Sequence, residues 1–442
     1  MTSMCVPSLR SGLPCSPAPL RFAASRTSGG AALIASMLAA DPLLSGGVGL
    51  HVVLVVIVKA VFSFVFLLVG VMLMVWFERK LISGMQNRVG PNKAGPWGLF
   101  QTLADGTKLF FKEDLIPDQA DRFVFKLAPY LSLVPAFLVF SVVPIGGDYN
   151  DKAHPGQMSI FGKWTLMQLA DPPIGILLVL ALSSLAVYGI MLAGWASGSK
   201  YPLLGSVRAS AQMVSYEAAL GMSVASVLLI SGTLSTSGIV AKQDWFGSWN
   251  VVATVFVPFV IFVIAATAEA NRPPFDLVEA EQELVGGFNT EYSSIRFALF
   301  YLSEFMNTVT MSAIIVTLFL GGPQPPFRFL HDIPGPRWLY GVVWFFLKLY
   351  VFLYMYVWFR ATLPRFRYDQ LMDLGWKLLI PASLGWLLLL IVVRVTQSAG
   401  WQRPGRIAAA VGAAAIMGVF YLLLLAAFRV SARNRAREGT MF

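Results

Sequence analysis

The feature that most restricts this chain is a series of long apolar runs. Nine of them reach the roughly 18 residues a helix needs to cross a bilayer. They span 52–77, 124–146, 173–196, 208–231, 251–269, 297–321, 338–359, 376–394 and 407–428. Hydrocarbon offers the backbone no hydrogen-bond partners, so such runs are predicted to be helices that satisfy their own amides. The 124–146 run fits least well, because Pro129, Pro135 and Pro144 fall inside it. Composition agrees, with 57% hydrophobic and 13% charged residues, about half the charged share of a soluble domain. The expected fold is all-α: a polytopic membrane bundle of nine transmembrane helices with long structured cytoplasmic loops.

The net charge of +10 comes from 33 Lys and Arg against 23 Asp and Glu. In a soluble protein it would point to nucleic acid; here it is read as the excess of basic residues in cytoplasmic loops, and no nucleic-acid partner is expected. Loop 78–123 alone carries Arg79, Lys80, Arg88, Lys93, Lys108, Lys112 and Arg122. Together with 197–207, 270–296, 360–376 and the tail from Arg429, it forms one side. The opposite loops hold only Lys152, Lys163, Lys242, Arg328, Arg337, Arg403 and Arg406. The first group is therefore predicted cytoplasmic, with the N-terminus outside and the C-terminus inside.

Both cysteines, Cys5 and Cys15, precede the apolar runs, and His51, His154 and His331 are scattered. That is no ligand set for zinc or an iron–sulfur cluster, and no phosphate-binding glycine motif occurs. Redox centres and nucleotides, if needed, are expected on partner chains. Residues 1–45 are rich in Ser, Pro, Gly and Arg. They read as an extension, either a cleaved signal or the product of a start site placed upstream of Met37, disordered or absent over the first forty residues.

Four cytoplasmic segments are not ordinary loops. The first, ERKLISGMQNRVGPNKAGPWG from Glu78, is tightly turned, with six Gly and Pro between Gly84 and Gly98. LFQTLADGTKLFFKE follows and sets Leu99, Phe100, Leu103, Leu109 and Phe110 towards one side of a helix. Gln101, Asp105, Lys108 and Lys112 take the other, a pattern for a helix lying in the interface plane. The second segment, 269–304, carries Glu269, Asp276, Glu279, Glu281, Glu283, Glu291 and Glu304, seven of the 23 acids in 36 residues. Asp276 and Glu279 have capping-box spacing after Pro273–Pro274, predicting a short helix up to Gly286–Gly287. Glu279 and Glu283 would share its face, where like charges raise at least one pKa and favour proton exchange. The third and fourth, RATLPRFRYDQLMDLGWK (360–377) and GSKYPLLGSVRASAQMVSYE (198–217), suit contacts with a cytoplasmic partner.

Glu217 and Glu304 fall inside predicted spans. Each lies seven or eight residues from the cytoplasmic end, about 10–12 Å deep. Carboxylates there are costly and are usually functional, so the two are expected to extend the acidic segment into one polar path. Lys348, near the middle of its span, is the expected positive partner. Lys59, near the other end of the first span, is read as snorkelling and receives no role.

Taken together, five strings resemble one family. They are ERKLISGMQNRVGPNKAGPWGLFQTLADGTKLFFKE, YPLLGSVRASAQMVSYE, EANRPPFDLVEAEQELVGGFNTEYSS, FALFYLSEF and RATLPRFRYDQLMDLGWK. The family is the H subunit of bacterial respiratory complex I, subunit 1 of NADH dehydrogenase in mitochondria. The resemblance implies a bacterial inner-membrane protein joining the membrane arm to the hydrophilic arm and forming much of a quinone chamber. Quinone would be its substrate, with flavin and iron–sulfur clusters on other subunits and reduction coupled to proton translocation. It also implies that Glu217, Glu269, Glu279, Glu281, Glu283, Glu291 and Glu304 form an acidic entrance to the proton path. Arg272 and Asp276 would couple quinone chemistry to it. Arg88, Asp105 and Lys108 would line the quinone tunnel, with Phe288 and Arg360 extending it. Partners would be the other membrane-arm subunits, the quinone-site subunits of the hydrophilic arm, and lipid. The family core has eight spans, so 46–395 is read as core and 396–442 as an added ninth helix and basic tail. Three readings stand beside this one: the membrane subunit of an energy-converting hydrogenase, a stand-alone ion transporter, and a structural anchor. The intact 84–112 segment favours the quinone enzyme.

Overall fold

A computed structural model describes residues 49–149, 156–160, 163–277, 285–327, 330 and 337–400, with stretches between 404 and 430. The extension 1–45 and Glu279, Glu281 and Glu283 lie outside the described residues. The chain is almost wholly helical: α1 Leu50–Met85, α2 Gln101–Phe110, α3 Arg122–Phe140, α4 Gly175–Ala196, α5 Lys200–Ser231, α6 Thr236–Ala241, α7 Val257–Glu269, α8 Ser294–Phe319, α9 Arg337–Thr362 and α10 Tyr368–Ser398. Among the described residues seven helices are long and apolar enough to cross a membrane: α1, α3, α4, α5, α8, α9 from Leu339, and α10. The described residues of the last apolar run, between 404 and 430, are also helical.

α8 is the central helix. It packs on α1, α3, α7 and α9, and 83% of its most apolar stretch is buried, against 11% for α10. Its sequence explains the position. Ser303, Thr308, Ser312 and Thr317 each return a hydroxyl to a carbonyl of the preceding turn, so these four polar groups are satisfied within the helix. Small side chains let backbones approach, the main source of helix association where lipid removes the hydrophobic drive. The same device joins α4 to α3: a Cβ on Gly189 would run into Ser132 Oγ and lie 2.7 Å from Ser132 N.

The structure departs from sequence expectation in several places. The run at 251–269 is not one continuous helix. A single turn at Asn250–Ala253 precedes left-handed Val255 and Phe256 (φ 58° and 62°), and α7 then starts with Pro258 in its first turn. Its 13 residues cover only about 20 Å at ~1.5 Å per residue. Segment 198–217 is a helix rather than a loop, since α5 begins at Lys200 and Pro202 stands in its first turn, where its missing N–H costs nothing. α10 widens into a π-helical stretch at Leu374–Leu379 just before Pro381, whose ring and lost donor disfavour an ordinary α-turn. Inside the long connection after α3, Gln157–Ile160 and Lys163–Leu166 pair as an antiparallel hairpin, a small exception to the all-α expectation. The amphipathic segment after Gly98 does form α2, which lies along α1: Thr102 donates to Met72 O at 3.3 Å and Trp76 Nε1 to Trp97 O at 3.0 Å.

Replacing Gly189 by Ala should push α3 and α4 apart and cost about 1–3 kcal/mol, read as a lower thermal midpoint in the native membrane. Gly106→Ala, where nothing lies within 4 Å of the new Cβ, should leave the midpoint unchanged; equal effects of the two would dispose of the close-approach argument.

Candidate functional site

An ionised side chain inside an apolar bundle needs a partner of opposite sign, because leaving one charge unpaired costs several kcal/mol. The turn following α7 satisfies this condition with three helices at once. Left-handed Asn271 (φ 49°) reverses the chain, and Gln212 of α5 fixes the turn by donating to Ala268 O at 2.9 Å and Phe275 O at 3.0 Å. Arg272 is thereby pointed into the bundle, where it is only 4% exposed. Its Nη1 lies 3.3 Å from Glu78 Oε2 and its Nε 3.7 Å from Glu304 Oε1. Nε also donates to Thr308 Oγ1 at 3.3 Å, and the guanidinium sits 4.0 Å from the centre of the Phe305 ring. Glu78 pairs a second time, with Arg360 from the last turn of α9. The result is a line of alternating charge: Arg360, Glu78, Arg272, Glu304.

The line connects two spaces. At the Arg360 end is an open cleft of about 1290 Å³ lined by Glu78, Arg79, Arg88, Tyr301, Phe305 and Arg360. Asp105 sits at its edge, 2.5 Å from Arg79 and 3.2 Å from Gln101. At the Glu304 end, between α3, α4, α5 and α8, is a narrow cavity, about 750 Å³ when the open space at its mouth is counted, whose polar lining includes Ser183, Glu269, Asn271, Asn289, Glu304 and Asn307. Among the described residues, Glu269 Oε2 and Asn289 Oδ1 are buried without a hydrogen-bond partner, the condition under which ordered water is retained. Glu217 is close enough to Glu269 to interact electrostatically and accepts a hydrogen bond from Ser184.

The structure therefore places Glu217, Glu269, Arg272 and Glu304 near one another. Asp276 is buried beside the same turn and accepts from Arg365 Nη2 at 3.1 Å, while Phe366 N bonds Pro274 O at 3.1 Å. The 360–377 segment thus clamps the turn. Glu291 is half-buried in the turn ahead of α8 and lines neither space. Next to it Tyr292 stacks on Phe125 with ring centres 4.0 Å apart, and burial pushes its hydroxyl well above the ordinary range. Arg88 and Arg360 line the cleft. Lys108 is exposed on α2 and does not.

Two expectations are corrected. Phe288 lines the carboxylate cavity and not the cleft, because Gly287 packs against Gly205 of α5, where a Cβ would come within 2.7 Å, and draws the loop to that side. Lys348 is no partner of Glu217 or Glu304. Its Nζ donates to the carbonyls of Leu320, Gly322 and Gln324 at 2.6, 2.9 and 2.6 Å, and lies 4.5 Å from the Trp249 ring. It thus caps the C-terminal end of α8, where a cation is favourable. That end is sixteen residues beyond Glu304, about 24 Å away along the helix. Sequence reasoning also missed Glu78, Gln212 and Tyr301. Glu78 closes an apolar run and is followed by Arg79 and Lys80, so it reads as the first charge of a loop; the 36-residue length of α1, which carries it inside, is the missing signal.

A family model described as NADH dehydrogenase matches residues 58–391. Curated relatives are similar over most of their length. A protein of Frankia alni, named as the H subunit of NADH-quinone oxidoreductase, is 50% identical over 390 residues, covering 87% of this chain and 82% of the relative. Proteins of the same name from Frankia casuarinae and Streptomyces avermitilis are 53% and 48% identical, over 77% and 87% of this chain and 73% and 82% of their own.

Glu78→Ala would leave Arg272 and Arg360 without the carboxylate they share. The expected cost is about 3–5 kcal/mol, seen as failure to accumulate in the membrane or a large drop in thermal midpoint. Lys93→Ala, at an exposed position, should change stability by no more than about 0.5 kcal/mol. A Glu78→Ala protein as stable as the Lys93→Ala protein would show that the charges in the line do not depend on one another.

Proposed function

The chain belongs to the NADH dehydrogenase family, among the H subunits of NADH-quinone oxidoreductase, and from that premise we propose that it joins quinone reduction to proton translocation through the Arg360–Glu78–Arg272–Glu304 line. It is a helical membrane component of an oxidoreductase complex, so other subunits of that complex are its partners. In the proposed arrangement the cleft receives the quinone head, and electrons arrive from NADH through redox centres on the hydrophilic arm. The cleft faces the cytoplasmic side of a bacterial cell membrane, the N-terminus lies outside, and neighbouring subunits of the membrane arm take the protons onward.

The observation that carries this reading is that one guanidinium, that of Arg272, touches both a carboxylate of the cleft wall and a carboxylate of the cavity wall. Quinone becomes quinol by taking two electrons and two protons, and negative charge develops on its oxygens before those protons arrive. Cationic Arg79, Arg88 and Arg360 around the cleft favour that charge. As Arg360 turns towards it, Glu78 loses one of its two cations and draws Arg272 closer. Glu304 then loses the positive charge beside it, and a carboxylate deprived of a cation in an apolar cavity binds a proton more tightly. Glu269, Glu217 and cavity water share the proton, and protonation of the reduced quinone to quinol removes the negative charge and resets the line. Asp276 and Arg365 hold the turn through the cycle. Glu279, Glu281, Glu283 and Glu291 extend the acidic path towards the cytoplasmic face. Arg88, Asp105 and Lys108 belong to the wall and mouth of the quinone tunnel, while Phe288 closes the carboxylate cavity.

The experiment is Glu304→Gln and Glu217→Gln, singly, in the assembled complex in native membranes. Quinone-linked NADH oxidation or proton uptake should fall about tenfold or more, equivalent to ~1.4 kcal/mol. NADH oxidation by ferricyanide, which needs only the hydrophilic arm, should be unchanged. Normal pumping and turnover in both variants would leave these carboxylates a structural role and end the proposal. Transport by the isolated chain would favour a stand-alone transporter.

A further inference from the structure

At the end of α1 far from Glu78, the structure contains a space that the proposed function does not use. It lies between α1, the end of α3, the β-hairpin and α9, and takes in about 1030 Å³ when the open space at its mouth is counted. Its walls are chiefly apolar, including Phe62, Phe66, Phe140, Val143, Leu166 and Phe346. Protein interiors are packed nearly as densely as organic crystals, so the walls of an apolar groove gain dispersion contacts when something fills it. Its rim faces the surroundings: Val58 and Phe62 on α1 line it and are more than half exposed. In a membrane-spanning bundle the medium that meets such a rim is lipid hydrocarbon.

Two polar groups make the space more than a greasy gap. Gln168 is 5% exposed and lines the cavity, yet among the described residues neither its Oε1 nor its Nε2 has a hydrogen-bond partner. A buried amide left in that state costs about 1–3 kcal/mol. The side chain has little freedom to escape, because its backbone is fastened on both sides: Ile145 N bonds Met167 O at 3.2 Å and Leu169 N bonds Ser141 O at 3.1 Å. Lys59 is the second group. Its ammonium lines the same cavity and donates to Thr165 Oγ1 at 2.7 Å, at the edge of the hairpin. It is nineteen residues from Glu78, about 28 Å along α1, so this cation belongs to the opposite end of the bundle. Water alone is a poor occupant, since it needs two to four polar partners and the remaining walls supply few.

We propose that this cavity is a binding site for an anionic glycerophospholipid, with one acyl chain between α1 and α9. An ester carbonyl of the lipid accepts from Gln168 Nε2, and the phosphate lies near Lys59. The hydrocarbon walls take the chain, the orphaned amide takes the polar junction below the headgroup, and the ammonium selects negative charge. Each part of the site matches one part of the molecule.

The test uses the assembled complex, purified in mild detergent and loaded with phosphatidylglycerol carrying a diazirine in its acyl chain. After irradiation, adducts should concentrate on the peptides bearing Phe62, Phe140 and Leu166, above the labelling of outward-facing Leu384 and Leu388 on α10. Unlabelled phosphatidylglycerol should displace the probe at lower concentration than phosphatidylcholine does. Ser63→Phe, which fills the cavity, should cut these adducts at least ~5-fold, about 1 kcal/mol, without changing those on α10. Lys59→Gln should abolish the preference for the anionic lipid. Adducts no denser here than on α10, or equal displacement by both lipids in the unaltered complex, would overturn the proposal. Both readouts need no variant and therefore decide the matter even if Ser63→Phe fails to assemble.

Discussion

The guanidinium of Arg272 is the group on which the rest of this architecture depends. A cation that is 4% exposed in a bundle surrounded by hydrocarbon can exist only if carboxylates from elsewhere in the chain come to it. Glu78 comes from α1, Glu304 from α8, and Thr308 adds a hydroxyl. Meeting those partners fixes where the turn after α7 must end, and hence how short α7 has to be. Gln212 and the Arg365–Asp276 pair then hold the turn from opposite sides, one from α5 and one from the α9–α10 connection. Elements more than a hundred residues apart in sequence are thus tied to one point, and the tie is electrostatic rather than apolar. Lys348 shows the same rule at the other end of α8, where three carbonyls supply what carboxylates supply to Arg272.

Much of the helical framework was legible because hydrocarbon leaves a chain so few choices. Long uncharged runs become helices, and the runs that host α1, α3, α4, α5, α8, α9 and α10 did so. Glu217, Glu269 and Glu304 were legible for a related reason: an acid inside such a run is expensive and stands out. What was hidden is whatever depends on pairing or on the path of a single turn. Glu78 looked like a loop charge because nothing local says how far α1 continues past its apolar stretch. Lys348 looked like a counter-ion because depth along one helix does not reveal which end of another it meets. The break before α7 rests on left-handed Val255 and Phe256, residues whose side chains give no hint of that conformation. The contact of Gly205 with Gly287, which moves Phe288 from one cavity to the other, is likewise a fact of packing.

The bundle is unevenly finished. α8 is enclosed on all sides, whereas α1 and α10 have 17% and 11% of their most apolar stretches buried. Such faces are ordinary where lipid is the solvent, and they are also where a membrane component of a larger complex meets its neighbours. The polar machinery avoids them. Arg272, Glu269 and Glu78 all point inward, away from the exposed apolar faces of α1 and α10. α2 is different: it is amphipathic and lies on α1, with Asp105 tied to Arg79 and much of its surface open.

A line of alternating charges is also an economical way to carry a signal across a short distance. No proton or electron has to travel from the cleft to the cavity; each ion need only shift between two partners it already touches. The effect is strong because the medium is apolar, since Coulomb interactions weaken in proportion to the dielectric constant. The same interactions in open water would be screened within about 10 Å at ordinary salt. Burial therefore has two consequences that cannot be separated. It makes Arg272 costly to house, which fixes the fold around it, and it makes a change at Arg360 matter at Glu304, which in the proposed mechanism lets quinone chemistry alter the proton affinity of a distant carboxylate. Arg272 lies 3.3 Å from Glu78 and 3.7 Å from Glu304, so in the proposed mechanism the looser of the two pairs is the one that opens.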